Sequence, residues 1–92
     1  MKKGTNEPGS AELGFDLRNR LERRFGLGSD PEARKRLYAR LQLAVEVFGE
    51  RAYRALSTVA AEAASARAPD RYFCFAAVRR LSELGLMARV DL

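Results

Sequence analysis

The residues best suited to chemistry lie near the C-terminal end, where Tyr72, Phe75 and Arg79 share one face of a predicted helix. Arg71 and Arg80 are close by in the same helix. Aromatic rings beside guanidinium groups can stack on bases and contact phosphates. The same residue types are also enriched at protein–protein interfaces, where lysine is depleted. A third interpretation places Phe75 against the first helix or the C-terminal tail, with only the Tyr72 hydroxyl in water.

A second candidate is the arginine cluster formed by Arg20, Arg23 and Arg24. These residues are three and four positions apart, so a helix brings their like charges together at a cost of about 0.2–0.5 kcal/mol per pair. A phosphate ligand would relieve that repulsion. We therefore predict an anion-binding role for this cluster.

The third candidate lies in the basic run from Arg34 to Arg40. In a helix only Arg36 and Arg40 share an edge, because Arg34 and Lys35 point in other directions. These two residues either contact nucleic acid or form part of an ordinary solvated helix turn.

The composition argues against catalysis and against a cofactor. The chain has no histidine to act as a base near neutral pH and one cysteine, Cys74, which is expected to pack as a small apolar residue. Gly26-Leu27-Gly28-Ser29 lacks the lysine of a phosphate-binding loop, and no serine lies in a nucleophile-elbow motif. We expect a non-enzymatic protein that binds neither a metal ion nor a small-molecule cofactor.

Charge and hydropathy define the environment and the class of partner. The net charge is +5, and Lys2, Lys3 and Lys35 are the only lysines among 17 basic residues. A positive net charge permits an anionic partner such as DNA. No apolar run is long enough to span a membrane, and none follows the basic N-terminus as in a signal peptide. The expected location is the cytoplasm, with no membrane partner.

Apolar periodicity and helix-end signals predict an all-α fold, a compact bundle of about four helices joined by short loops. The predicted helices span residues 11–25, 30–48, 50–67 and 71–84, within one domain over residues 11–92 and after a flexible tail at 1–10. Gly14 should weaken the start of the first helix, and Asp70 should cap the fourth. The core stripe of the fourth helix is predicted to be Phe73, Ala77, Leu81 and Leu84, with Gly85 and Leu86 closing it.

Residues 56–87 resemble the C-terminal module of the DnaD-like replication proteins, which include primosome components and phage helicase-loader relatives. The resemblance rests on an Ala-rich helix, a short polar turn at Ala68-Pro69-Asp70-Arg71, the aromatic pair Tyr72-Phe73, and a Leu84-Gly85-Leu86 ending. It covers about a third of the chain. The resemblance implies a role in replication and contacts with single-stranded DNA. Of the family's residues only Tyr72 and Phe73 carry over, because this chain has Ala76 and Ala77 where the family has a large aliphatic residue and lacks its tryptophan near Arg80.

Two function classes follow from these observations. The first is a small DNA-associated module of a replication or mobile-element assembly, with basic helices on phosphates and with Tyr72 and Phe75 stacking or docking. The second is an adaptor, either a homodimer or a subunit of a larger complex, that uses Tyr72 and Phe75, or Leu43 and Val47, as its interface. A continuous basic face from Arg20 to Arg40 would favour the first class, and a bare apolar face would favour the second.

Overall fold

The computed structural model describes residues 9–87 and contains four α-helices within that range. They are α1 (Ser10–Phe25), α2 (Pro31–Phe48), α3 (Glu50–Ala63) and α4 (Pro69–Leu84). No strand occurs between residues 9 and 87, so the predicted all-α bundle of four helices is confirmed. No helix in this range is both long and apolar enough to cross a lipid bilayer.

The bundle consists of two antiparallel helical hairpins, α1–α2 and α3–α4. A single residue, Gly49, joins them: its N–H donates to the Val45 carbonyl at 2.7 Å and its carbonyl accepts from the Tyr53 N–H at 3.2 Å. Gly49 has a φ of +70°, a conformation that costs glycine little. The chain can therefore end one helix and begin the next within one residue.

The α1–α2 contact explains Gly14, which the sequence suggested would weaken the start of α1. The helix instead begins at Ser10, before Gly14, and Gly14 is buried. A Cβ atom at this position would lie 3.0 Å from the Gln42 carbonyl oxygen and 3.1 Å from the Glu46 Cγ. The glycine permits a close approach of α2, and packing of this kind outweighs its poor helix propensity.

The core lies between the hairpins, and its largest fully buried side chains are Tyr38 and Phe73. The Phe73 ring stacks on the ring of Phe25, with centroids 4.8 Å apart, and so connects α4 to α1. At the end of α4, the Leu86 N–H donates to the Leu81 carbonyl at 2.8 Å. Leu86 is buried, which confirms the predicted glycine-closed ending of this helix.

Three further local predictions, on α3 and α4, were wrong. Helix α3 ends at Ala63 rather than at residue 67, because the chain turns through residues 64–68 before Pro69 opens α4. Helix α4 begins two residues earlier than predicted, since proline is well suited to the first position of a helix. Leu84, a predicted core residue, is 49% exposed, because the buried Leu86 occupies the interior at this end of α4 instead.

Candidate functional site

A polar contact joins α4 to α2 through Arg34, whose side chain is only 14% exposed. Its Nη2 atom lies 3.3 Å from Asp70 Oδ2, and its Nη1 atom donates to the Gly26 carbonyl at 3.4 Å. The Tyr38 hydroxyl donates to the same carbonyl at 2.8 Å. Arg34 therefore connects the α1–α2 loop, α2 and the first turn of α4, which carries the aromatic residues.

Asp70 is not the cap that the sequence suggested. Ala68 occupies the N-cap position and Pro69 the first helical position, so Asp70 lies inside α4 and its carboxylate is available to Arg34. The hydrogen bond from Arg34 lowers the pKa of Asp70 below its usual value. The lowered pKa means that the ionised Asp70 stabilises the folded state above about pH 4.

Replacing Asp70 with asparagine should lower the thermal unfolding midpoint at neutral pH, because Arg34 loses its carboxylate partner. The difference from wild type should shrink as the pH falls below about 4, since wild-type Asp70 then becomes protonated as well. Thermal melts followed by circular dichroism across that pH range test this prediction. Glu83→Gln is the control, because Glu83 pairs with Arg79 on an exposed surface. A gap between Asp70→Asn and wild type that is constant with pH would contradict the assigned ion pair.

The outward ridge of α4 carries the two aromatic side chains that the sequence singled out. Phe75 is 66% exposed and Tyr72 is 39% exposed. The ring of Phe75 has Arg71 one turn before it and Arg79 one turn after it along the helix. Within residues 9–87, Phe75 is therefore available to a partner molecule.

A groove of about 440 Å³ separates this ridge from α2. Ala33 and Leu37 line its α2 side, and Arg71, Cys74 and Phe75 line its α4 side. Arg36 and Arg40 do not line the groove, but each follows a groove-lining α2 residue by three positions and so lies next to that residue on the helix surface. Two of the predicted arginines therefore lie on the part of α2 that adjoins this groove, whereas Phe75 borders the groove from α4.

We call this region the α2–α4 surface, and it is formed by Arg36, Arg40, Arg71, Tyr72, Phe75 and Arg79. Arg36, Arg40 and Arg71 have no carboxylate within 4.0 Å among residues 9–87. Arg79 pairs with Glu83 at 3.1 Å, but both side chains are more than half exposed. Such an exposed pair is weak, so an incoming anion can compete for Arg79.

Arg80 lies at the edge of this surface and is bound to α3. Its Nη2 atom lies 3.2 Å from Glu62 Oε1, and the Tyr72 hydroxyl donates to the same oxygen at 3.4 Å. These contacts hold Tyr72 on the α3 side of the ridge. A hollow of about 290 Å³ lies next to it, lined in part by Tyr72, Phe75 and Arg80.

The cluster of Arg20, Arg23 and Arg24 lies elsewhere, on α1. Arg20 pairs with Asp16 at 3.0 Å, and Asp16 also accepts a 2.6 Å hydrogen bond from the hydroxyl of Tyr53 in α3. That hydrogen bond raises the pKa of Tyr53 above its usual value. Arg23 and Arg24 are exposed on the same helix.

The arginine cluster on α1 and the α2–α4 surface do not form one continuous basic face. Arg18 of α1 donates a hydrogen bond to Gln42 of α2, so this side of α1 faces α2. Arg20 lies about 200° around α1 from Arg18, on the side that contacts α3. Arg36 and Arg40 lie on the opposite flank of α2, beside the groove to α4. The structure therefore shows neither a continuous basic face, which would favour nucleic acid, nor a bare apolar face, which would favour a protein partner. It shows a local basic surface around exposed aromatic rings.

Cys74 lines the α2–α4 groove but is half-buried. Burial raises the pKa of its thiol, and the nearby Arg34 only partly opposes this effect. A raised thiol pKa disfavours the reactive thiolate. Among residues 9–87, no group of three or more side chains could hold a metal ion.

No family model, curated protein or solved structure matches this chain. The resemblance to the DnaD-like module therefore stays a prediction that rests on the residues quoted for it. Of its aromatic pair, Tyr72 lies on the surface and Phe73 is fully buried. A ligand that contacted α4 would reach Phe75 rather than Phe73.

Sequence reasoning missed Arg34 as the residue that joins α4 to α2. The available signal was its i, i+4 spacing to Tyr38, but the sequence does not indicate that Asp70, 36 residues away, completes the contact. It also missed Arg51 and Arg54, which the α3–α4 hairpin brings beside Leu84 and Arg80.

Proposed function

We propose that this protein is a non-catalytic nucleic-acid-binding module that uses the α2–α4 surface. The observation that carries the proposal is the exposure of Phe75 between Arg71 and Arg79, across a groove from the helix edge of Arg36 and Arg40. We place its action in the cytoplasm, within a replication or mobile-element assembly, as the resemblance to DnaD-like proteins implies.

The chemistry of the surface suits an unpaired strand. Phe75 offers an exposed ring on which a base can stack, and the partly exposed Tyr72 offers a second ring three residues before it. Bases within a duplex are already stacked and do not offer their faces to side chains. Arginine suits the phosphates because its planar guanidinium group can make two parallel hydrogen bonds.

The size of the α2–α4 surface limits the number of phosphates that it can contact. Arg36, Arg40 and Arg71 supply about three phosphate contacts, since the α1 cluster lies on another side of the bundle. For a single strand, three contacts give a slope of about −2 for the logarithm of the binding constant against the logarithm of the salt concentration.

Fluorescence anisotropy with a labelled oligothymidine of about 15 nucleotides tests the proposal. Phe75→Ala should weaken binding by roughly 5- to 150-fold, the equivalent of about 1–3 kcal/mol for one lost stacking contact. Phe15→Ala is the matched control, because Phe15 is 62% exposed but lies on α1. The salt slope is measured between about 50 and 200 mM.

Absence of binding to both the oligothymidine and a duplex at low salt would overturn the proposed function. Equal losses for Phe75→Ala and Phe15→Ala would remove the α2–α4 surface from it. Binding to a duplex as tight as to the single strand would contradict the stacking role of the rings.

A protein–protein interface is the second candidate, favoured by the exposed apolar side chains. Phe75 and Val47 are both more than half exposed, and an aromatic residue surrounded by arginines is typical of interface hot spots. In this case the wild-type chain would elute as a dimer in light scattering at high concentration, and Phe75→Ala would elute as a monomer. A monomer at all concentrations would remove the homodimer version.

A further inference from the structure

A second groove lies between the start of α3 and the end of α4. Its volume is about 320 Å³. Its floor is formed by Ala55, Leu84 and Leu86, and its rim by Arg51, Arg54 and Arg80. We call this feature the α3–α4 groove. It is distinct from the α2–α4 surface and shares only its edge residue Arg80.

The floor of the α3–α4 groove is aliphatic and accessible. Leu84 is 49% exposed, although it lies on the same helical face as the buried residues Phe73, Ala77 and Leu81 of α4. Ala55 has a small side chain that leaves room above it, and Leu86 closes the groove from below because it is buried against the core. The volume suits one large apolar side chain of a partner.

The rim of the groove is cationic, and two of its three arginines are at most weakly neutralised, whereas Arg80 is paired with Glu62. Arg51 has no carboxylate within 4.0 Å among the residues described. Arg54 pairs with Glu50 at 3.4 Å, but these side chains are 76% and 68% exposed. Ion pairs this exposed contribute little, so carboxylates of a partner can replace Glu50.

We propose that the α3–α4 groove binds an acidic peptide segment that inserts an aliphatic or aromatic anchor beside Leu84 and places carboxylates on Arg51 and Arg54. Charge complementarity between this rim and carboxylates identifies the partner class. A nucleic acid fits this groove less well, because none of its lining residues offers a ring for base stacking. The inference goes beyond the proposed function, since it assigns a protein partner to a separate site.

The experiment begins with a library of random peptides displayed on phage and selected on the full-length chain. We expect the enriched sequences to combine Asp or Glu with a Leu, Ile or Phe anchor. The most enriched peptide is then synthesised, labelled and titrated by fluorescence anisotropy. Leu84→Asp should weaken its binding by at least about tenfold, because the anchor would meet a charged floor.

The double variant Arg51→Glu and Arg54→Glu gives the sharpest test. Both side chains are exposed, so the fold should survive. The variant should lose the acidic peptide by about tenfold or more and should gain affinity for the same peptide with lysine in place of its acidic residues. Phe75→Ala is the control and should bind the acidic peptide as wild type does.

Several results would overturn the inference. Selection of no common sequence, or of sequences without acidic residues, would mean that the groove does not recognise this chemistry. Unchanged affinity in the charge-reversal variant would place the binding elsewhere, and a loss in Phe75→Ala would assign the peptide to the α2–α4 surface. If the chain binds the acidic peptide but not oligothymidine, the proposed function is wrong and the inference about the α3–α4 groove stands.

Discussion

Replacing Phe73 with alanine is expected to lower the free energy of unfolding by about 3–5 kcal/mol, the range for removing a buried aromatic ring. Phe73 is fully buried and stacks on Phe25 with a centroid distance of 4.8 Å. Its loss would leave a cavity between α1 and α4, the helices that this ring pair connects. A domain of this size has about 5–14 kcal/mol of stability in total, so the variant would be marginally folded.

Phe75→Ala is the matched comparison, because it removes an identical side chain two residues away, on the exposed ridge of α4. We expect its stability to stay within about 0.5 kcal/mol of wild type. Urea unfolding followed by circular dichroism gives both values. If Phe73→Ala does not fold at all, Phe73→Leu retains much of the volume and should show a smaller, measurable loss. Equal effects at Phe73 and Phe75 would contradict the assigned orientation of α4.

Replacing Gly14 with valine is expected to cost about 1–3 kcal/mol of stability, as overpacking of a tight contact typically does. A Cβ atom alone would already lie 3.0 Å from the Gln42 carbonyl oxygen. Valine adds two methyl groups to a position where α2 backbone and side chains leave no space. The α1–α2 hairpin must separate locally to admit them.

The control for Gly14→Val is Ala39→Val, which places the same branched residue at an exposed helical position on α2. It reports what a branched residue costs a helix relative to alanine, at most about 0.7 kcal/mol; relative to glycine valine is the better helix former, so propensity does not contribute to the loss expected at Gly14. Gly14→Ala separates the two effects further, because alanine gains helix propensity while introducing only the Cβ overlap. A Gly14→Val variant that is as stable as Ala39→Val would contradict the close approach of α2.

Helix existence and helix ends were largely readable from the sequence because their signals are local. Gly85 closes α4 as predicted, and Asp30, directly before Pro31, caps α2 by accepting the Ala33 N–H at 3.2 Å. Errors arose where a local signal competed with a distant contact. Aspartate is a typical N-cap residue, but the carboxylate of Asp70 binds Arg34 of another helix instead.

The candidate site was predictable only in part, for the same reason. Helical phase places Phe73 on one side of α4 and Phe75 on the other, so the sequence identified an outward aromatic residue. It did not indicate which arginines would lie near Phe75. Arg36 and Arg40 adjoin the groove residues Ala33 and Leu37, whereas Arg20 pairs with Asp16, which accepts a hydrogen bond from Tyr53 of α3.

The sequence by itself determined that this chain forms four helices, which face of each is apolar, and that arginine dominates its basic residues. These properties depend on the spacing of residues within one helix, about 3.6 per turn. Only the tertiary structure decided which helix edges meet, and hence that Phe75 borders a groove on α2 and that Arg51 and Arg54 surround Leu84. The physical reason is that helix pairing depends on close contacts between residues far apart in the chain, such as Gly14 with Gln42 and Arg34 with Asp70.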